Sequence, residues 1–319
     1  MMLEIIVTHW NEPWDLVQKG FMMLSLQRGV DWNKIKVTLI HDGTVYWPEE
    51  YFEFCPFRVH QVSIEHRGIA GVRNWAIDHS TAEWIKFNDC DDMFSGLYSL
   101  KTIMDALAHA RKFDMLWFDF YGEMTDGRVV IRNERDPVLL HGKLLRRSFL
   151  ADHEIRFQED LIWCEDSAFL AVVEMEIDHQ KIGKIKGEPL YAYIAREGSL
   201  CNRPEILFQN LCSFFRRHCY VAEEFRKRGL TDQFNTMCVR VMCDSYYSLC
   251  RAPGITEDKT QLETDVWNWF AEHRQAFEAC RPEMFDMVIE AVNRERTDGG
   301  WIDKQDVLNW IQKHERTAA

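Results

Sequence analysis

Residues 83–92 read EWIKFNDCDD. Residues 83–88 have the pattern of a buried strand, and three of the next four residues are acidic. Open α/β sheets bind their ligands at the carboxyl ends of their strands, which is where these acids fall. Three carboxylates in four residues repel one another, and a hard divalent cation such as Mg²⁺ or Mn²⁺ is the usual compensation. The alternative is a solvated acidic turn that caps the following helix.

The first 200 residues alternate short β-rich runs with helical stretches. This alternation predicts an α/β fold with a mixed, mostly parallel sheet and helices on both of its faces. The predicted strands span residues 3–8, 36–40, 58–64, 83–88 and 115–120, with residues 127–132 returning as a hairpin. The predicted helices span residues 14–27, 71–80 and 96–112.

The last third of the chain has a different pattern. From Pro204 onward the apolar residues recur at helical spacing and the strand signals disappear. Glycines and prolines near Gly229, Pro253, Pro282 and Gly299 divide this part into about five helices. We therefore expect two domains, an α/β domain over residues 1–203 and an all-α domain over residues 204–319.

The composition excludes several classes of protein. The chain has 319 residues, 46% hydrophobic and 28% charged, and 38 basic against 51 acidic residues give a net charge of −13. Such a chain is neither disordered nor a typical basic nucleic-acid-binding module. No apolar run approaches the length of a membrane-spanning helix or a signal-peptide core, and the ten cysteines include no Cys-x-x-Cys pair. We therefore expect a cytoplasmic protein with reduced thiols and no transmembrane segment.

Further motifs flank the acidic stretch. In chain order they are NE at 11–12, HDG at 41–43, GIAGVRNWA at 68–76, KLLRR at 143–147, ED at 165–166 and YAYIAREGS at 191–199. In this order and at these intervals, the series resembles glycosyltransferase family 2, the nucleotide-sugar-dependent enzymes with the GT-A fold. The resemblance extends over about residues 3–200.

The resemblance implies a binding site for a nucleotide-sugar donor. Asp42 would contact the nucleoside, and His41 stands where the family usually has a second acid. Arg73 and Asn74 would lie near the nucleotide, in a motif where Val72 replaces the usual alanine. The other donor-binding candidates are Asn11, Glu12, Asp89, Arg196 and Ser199.

The resemblance also implies a metal site. The Asp-x-Asp motif of the family matches Asp89 and Asp91, with Asp91 as the direct ligand of Mn²⁺ or Mg²⁺ and Asp89 at the ribose or the metal's water shell. Asp92 would orient the metal or the sugar. A cation together with Arg or Lys donors stabilises the charge that develops on a departing nucleoside diphosphate.

The second chemical centre is the pair Glu165 and Asp166, just before an apolar helical pattern. The resemblance makes Asp166 the general base, with Glu165 beside it. A partly desolvated carboxylate suits this role because the acceptor hydroxyl must lose a proton as it attacks. The alternative is that the two acids only cap a helix, which contributes about 1 kcal/mol to stability.

Histidine is the remaining ligand type. The sequence has no His-x-x-x-His pair, and an isolated histidine is usually structural. Candidates for a further metal ligand are His9, His41, His66, His141 and His179, of which His141 is the first to inspect.

These features predict a glycosyltransferase that moves a sugar from a nucleotide-sugar, with a UDP-sugar favoured, to an acceptor hydroxyl by a metal-dependent inverting displacement. The expected acceptor is a glycan or glycoconjugate, and hydroxymethylated DNA is an alternative acceptor. A nucleotidyltransferase is a second alternative, but residues 8–13 lack the glycine-rich phosphate loop that such an enzyme usually has. A non-catalytic nucleotide-binding protein is the third.

Overall fold

The computed structural model describes residues 1–124, 126–132, 138–195, 207–295 and 300–318. The chain divides into two compact units, Met1–Asn202 and Arg203–Ala319. The first unit is α/β and the second is helical.

Eleven strands lie in the described part of the first unit, arranged in two sheets. They are β1 Leu3–His9, β2 Ile35–Asp42, β3 Val59–Ile64, β4 Trp84–Asp89, β5 Met93–Phe94, β6 Met115–Phe118, β7 Phe120–Glu123, β8 Val129–Arg132, β9 Lys143–Arg146, β10 Ile182–Ile185 and β11 Tyr191–Tyr193. The first unit also contains helices α1 Trp14–Ser25, α2 Gly68–His79, α3 Ser99–Leu107, α4 Arg147–Asp152 and α5 Glu165–Glu176.

The larger sheet has seven strands in the order β10-β6-β9-β4-β1-β2-β3. Strand β9 is antiparallel to both of its neighbours, and the other neighbouring strands are parallel. The smaller sheet has the order β5-β11-β7-β8. The predicted mixed and mostly parallel sheet is therefore confirmed.

The prediction of one continuous strand over residues 115–120 is wrong. The chain forms two strands there, β6 and β7, and they belong to different sheets because β6 pairs with β9 and β10 while β7 pairs with β8 and β11. Asp119 lies between them, and its carbonyl oxygen accepts a hydrogen bond from the Leu190 N–H at 2.9 Å. A continuous apolar run gives no signal for such a change of sheet.

The central strands position the functional edge of the sheet. Every residue of β1 is buried, as expected for a strand in a sheet covered on both faces. Strand β1 pairs with β2 and β4 in parallel, so that His9 lies beside His41 and Thr8 beside Asp89. The motifs that follow these three strands are consequently brought to one edge.

The second unit contains five described α-helices. They are α6 Leu207–Lys227, α7 Thr231–Tyr246, α8 Thr260–Glu278, α9 Pro282–Glu295 and α10 Lys304–Ala318. Helix α7 contributes much of the core through Cys238, Val239, Met242 and Cys243, all fully buried. Across the ranges given above, no helix is both long and apolar enough to cross a membrane.

Glycine is required at position 20 of α1, where the helix approaches the turn that follows β4. A β-carbon at Gly20 would lie 2.8 Å from the backbone oxygen of Asp92 and 3.6 Å from that of Cys90. Both contacts are with backbone atoms, so a side chain can be accommodated only if the helix or the acidic turn moves.

We expect Gly20→Ala to lower the free energy of unfolding by about 1–3 kcal/mol, the usual cost of overpacking, despite the higher helix propensity of alanine. Urea denaturation measures the change. Lys19→Ala, at an exposed position of the same helix, is the control and should change stability by less than about 0.5 kcal/mol. Equal stability of Gly20→Ala and the wild type would show that the close approach imposes no constraint.

Candidate active site

The acidic turn begins where β4 ends, next to the centre of the large sheet. The Asp92 N–H donates to the Asp89 carbonyl at 3.2 Å, which closes the turn. The Asp92 side chain is 1% exposed, and its carboxylate accepts hydrogen bonds from the Ile194 N–H at 3.0 Å and the Tyr191 hydroxyl at 3.3 Å. The Asp89 side chain is 29% exposed. One acid of the turn is thus held inside the protein while another reaches the surface.

His141, just before β9, completes a cluster with these two acids. Its Nε2 lies 3.1 Å from Asp92 Oδ2 and 3.6 Å from Asp89 Oδ2. One ligand atom from each of the three residues lies within 4.8 Å of the others, and within the described ranges this is the one group of three or more with that property. Burial lowers the pKa of His141, but the two carboxylates more than offset it and raise that pKa to about 9. The half-buried Asp91 is outside the group.

A buried lysine lies beneath the cluster. Lys86 is fully buried on β4, and its Nζ donates to the Phe87 carbonyl at 2.5 Å and lies 4.1 Å from the centre of the Tyr191 ring. Burial lowers the pKa of Lys86 to about 7, although the Asp92 and Asp89 carboxylates oppose the change. No pattern in the sequence distinguishes this lysine from a surface lysine in a strand.

Arg73 joins the acidic turn to the second chemical centre. It lies on α2 with a side chain only 3% exposed, and its guanidinium donates to Asp89 Oδ1 at 3.0 Å, Glu165 Oε1 at 3.0 Å and Asp166 Oδ1 at 2.5 Å. These carboxylates come from β4 and from the start of α5. The acidic turn and the pair Glu165 and Asp166 are therefore joined by the guanidinium of Arg73.

The pair Glu165 and Asp166 forms the first turn of α5, where the helix dipole stabilises negative charge. Cys164, the residue before them, has a left-handed backbone with φ 68° and accepts hydrogen bonds at its carbonyl from the Ser167 hydroxyl and the Ala168 N–H. Burial and the neighbouring Asp166 charge raise the pKa of Glu165 to about 8, although the Arg73 charge opposes the change. At the partly exposed Asp89, the charges of Arg73 and His141 outweigh partial burial and hold the pKa well below its ordinary range.

Two residues predicted beside the nucleotide are engaged within the protein. Arg73 makes the contacts described above. Asn74 is 7% exposed, and its side-chain amide pairs with the backbone of Phe157, accepting from N–H at 2.8 Å and donating to the carbonyl at 2.9 Å. The amide also donates to Glu159 Oε1 at 3.0 Å. These contacts make both side chains internal supports of the site.

The remaining donor candidates lie at the ends of β1 and β2. Asn11 is exposed, and the Glu12 carboxylate accepts from the Trp10 N–H at 3.0 Å. The Asp42 carboxylate accepts from the N–H groups of Arg67 at 2.7 Å and Gly68 at 3.0 Å, where α2 begins. It also pairs with His66 Nδ1 at 2.9 Å.

Two predicted residues, Arg196 and Ser199, lie outside the described residues. A cavity of about 480 Å³ lies beside β3 and is lined by residues such as Glu50, Phe57 and Arg58. None of the predicted site residues lines that cavity.

Solved structures share the fold. The chain superimposes on S. aureus TarS residues 1–349 in complex with UDP-GlcNAc with a TM-score of 0.63 and 20% identity, covering 90% of this chain and 84% of that one. The UDP complex of the same protein gives a TM-score of 0.60 and 19% identity, covering 90% and 83%. The superposition on the larger TarS structure has a TM-score of 0.61 and 20% sequence identity, and it covers 90% of this chain and 50% of that one. The chain therefore spans about half the length of that TarS chain.

The fold is that of the GT-A glycosyltransferases. The model of the family described as glycosyl transferase family 2 matches residues 4–173, more than half of the chain, and the chain belongs to that family. A search of curated proteins found no significant match.

We expect Arg73→Met to lower the free energy of unfolding by about 3 kcal/mol, because it leaves three carboxylates without their shared cation. Arg67→Met is the matched control, since the Arg67–Glu159 pair is 44% and 39% exposed. It should cost less than about 1 kcal/mol in the same urea titration. Similar losses in the two variants would contradict the role assigned to Arg73.

The raised pKa of Glu165 predicts how stability changes with pH. An acid whose pKa is higher in the folded state contributes stability below its unfolded pKa of 4.5, and this contribution is lost as pH rises toward about 8. Relative to the wild type, Glu165→Gln should therefore become more stable between pH 5 and pH 8, by about 3–4 kcal/mol. Glu174→Gln on α5 is the control. A Glu165→Gln difference that does not change with pH would show that Glu165 titrates normally.

Proposed function

We propose that the protein transfers a glycosyl group from a nucleotide-sugar, with a UDP-sugar as the first donor to test, to an acceptor hydroxyl by an inverting single displacement. One observation carries the proposal: Arg73 holds Asp89, on the donor side, and Asp166, the candidate base, at 3.0 Å and 2.5 Å from one guanidinium. The group that activates the donor and the group that removes the proton must lie about one sugar ring apart. Asp89 and Asp166 are suited to these two roles because one guanidinium holds them close together.

Asp89, Asp92 and His141 fit a divalent cation. Neither ring nitrogen of the buried His141 has a well-aligned hydrogen-bond partner in the described part of the chain, although Nε2 faces the two carboxylates. Two carboxylates with one imidazole favour Mn²⁺ over Mg²⁺, which prefers oxygen ligands. A bound cation would supply charge neutralisation for the leaving diphosphate. Asp91, the ligand that the family resemblance implies, stays a candidate beside this group.

On the acceptor side, the carboxylate of Asp166 would take the proton of the attacking hydroxyl. Its side chain is 15% exposed, enough for an acceptor to reach, and Arg73 fixes one of its oxygens. Glu165, with its raised pKa, would remain protonated and avoid placing a second negative charge beside the nucleophile. The left-handed Cys164 is the residue from which the helix carrying both acids begins.

The donor nucleoside would bind at the ends of β1 and β2, near Asn11, Glu12 and Asp42. TarS was crystallised with UDP-GlcNAc and with UDP, which supports uridine as the first base to test. Arg196 and Ser199 remain candidates for the pyrophosphate. We further propose that residues 1–203 form the catalytic domain, that residues 204–319 shape the acceptor side, that the acceptor is a glycan or glycoconjugate, and that the protein acts in the cytoplasm.

A transfer assay with a panel of nucleotide-sugars and Mn²⁺ tests the proposal. We expect Asp166→Asn to lower kcat at least about 100-fold, because a general base contributes that much, while UDP still binds. Chelation of the metal should abolish turnover, and the product should have the anomeric configuration opposite to that of the donor.

Asp160→Asn is the control, because Asp160 is an exposed acid six residues before the candidate base. It should retain wild-type turnover. Full activity of Asp166→Asn would remove the assigned base, and transfer with retained configuration would exclude the single displacement.

A further inference from the structure

Two histidines form a buried pair at the ends of β1 and β2. His9 Nδ1 lies 3.0 Å from His41 Nδ1, and the two side chains belong to residues that are 4% and 0% exposed. The other nitrogen of His9 lies 2.9 Å from the Glu12 carbonyl oxygen. The other nitrogen of His41 lies 2.9 Å from Gln61 Oε1. All four ring nitrogens are therefore in contact with a polar atom.

The orientation of the Gln61 amide is fixed by the backbone of Trp47. Gln61 Oε1 accepts from the Trp47 N–H at 2.9 Å, and Gln61 Nε2 donates to the Trp47 carbonyl at 3.0 Å. The atom that faces His41 is consequently an oxygen, which only accepts. The Glu12 carbonyl that faces His9 also only accepts. Both Nε2 atoms must therefore carry a hydrogen.

A count of hydrogens then gives the charge of the pair. The contacts to Glu12 and Gln61 need one N–H each, and the contact between the two Nδ1 atoms needs a third. Two neutral imidazoles carry only two N–H groups, so one of the three contacts is left without a hydrogen. With one additional proton all three contacts become hydrogen bonds, and the pair carries a single positive charge shared across the Nδ1 atoms.

The pair connects segments that surround the proposed donor site. Residues 9–13, which we name the β1 loop, include the donor candidates Asn11 and Glu12, and the His9 contact holds the Glu12 backbone. His41 contacts β3 through Gln61, and Gln61 holds Trp47, whose ring lies 4.3 Å from that of His9. The β1 loop, the segment after β2 and β3 are thus linked through two rings.

We propose that His9 and His41 act as one positioning unit that takes up a single proton, and that the protonated unit holds the β1 loop in the arrangement that binds the donor nucleotide. The second half of this statement rests on the proposed function; the first does not. The unit needs a histidine at the end of both strands, β1 and β2.

The surroundings determine when the proton enters. Burial is the main reason that the pKa of each ring is below its ordinary value, while the Glu12 carboxylate opposes the shift for His9. A second proton is excluded because two charged rings would lie 3.0 Å apart. The ring of Tyr46 lies 6.0 Å from that of His41, whereas Asp42, next along β2, pairs with His66. The unit therefore changes charge below neutral pH.

The first test needs no variant. In protein labelled with ¹⁵N-histidine, we expect the His9 and His41 nitrogens to titrate together between about pH 8 and pH 5, taking up one proton in total, with a scalar coupling between the two Nδ1 atoms. Two outcomes would overturn the unit: both rings staying neutral with one fixed tautomer throughout, or each ring taking its own proton independently.

The second test measures UDP binding by calorimetry over the same pH range. We expect the wild type to bind UDP about fivefold to tenfold more tightly near pH 5.5 than near pH 8. In His41→Asn, the new amide can donate to His9 Nδ1 at any pH, so neutral His9 keeps its hydrogen bond to Glu12. The UDP affinity of this variant should therefore vary much less with pH, and the titration of UDP itself is common to both proteins.

His60→Asn, at a histidine on β3 outside the pair, is the control and should retain the wild-type pH dependence. If the two histidines titrate together by NMR but the affinity for UDP does not change with pH, the link to the β1 loop is refuted. A joint titration with no UDP binding at any pH would instead refute the proposed donor and leave the proton-sharing unit standing.

Discussion

The structure of the site depends on one buried guanidinium that holds three carboxylates. Arg73 is nearly inaccessible to solvent and contacts Asp89 after β4 and both acids at the start of α5. Burial and the neighbouring Asp166 charge raise the pKa of Glu165 to about 8, so a protonated Glu165 reduces the negative charge around this one arginine. The arginine thereby fixes the separation between the donor side and the proposed base.

A second set of charges is organised around the acidic turn. Asp92 is buried against β11, His141 lies against both acids, and Lys86 lies beneath them. The protein thus supplies its own positive groups to an acidic centre that would otherwise be unstable when buried. Gly20 allows α1 to approach the backbone of this turn, so the packing of the fold and the position of the acids are coupled.

The sequence predicted the parts of this arrangement that depend on periodicity and on strand ends. The strand over residues 83–88 and the acids after it could be read directly, and parallel pairing then brought Asp42 and Asp89 to one edge. The contacts of Arg73 and Asn74 could not be predicted from the sequence. Tertiary packing decides whether a polar side chain on a helix faces a ligand or a group inside the protein. For the same reason the sequence suggested His141 as one of five candidates and gave no sign that Lys86 is buried or that His9 and His41 meet.

In the function proposed above, the cation site and the base belong to one active site joined by Arg73. Anomalous X-ray scattering from Mn²⁺ in crystals grown with UDP tests it most directly. We expect a manganese peak bounded by Asp89, Asp92 and His141, with the UDP diphosphate against it and the Asp166 carboxylate within about one sugar ring of the terminal phosphate. A manganese peak bound elsewhere, or UDP on a surface remote from Asp166, would contradict it.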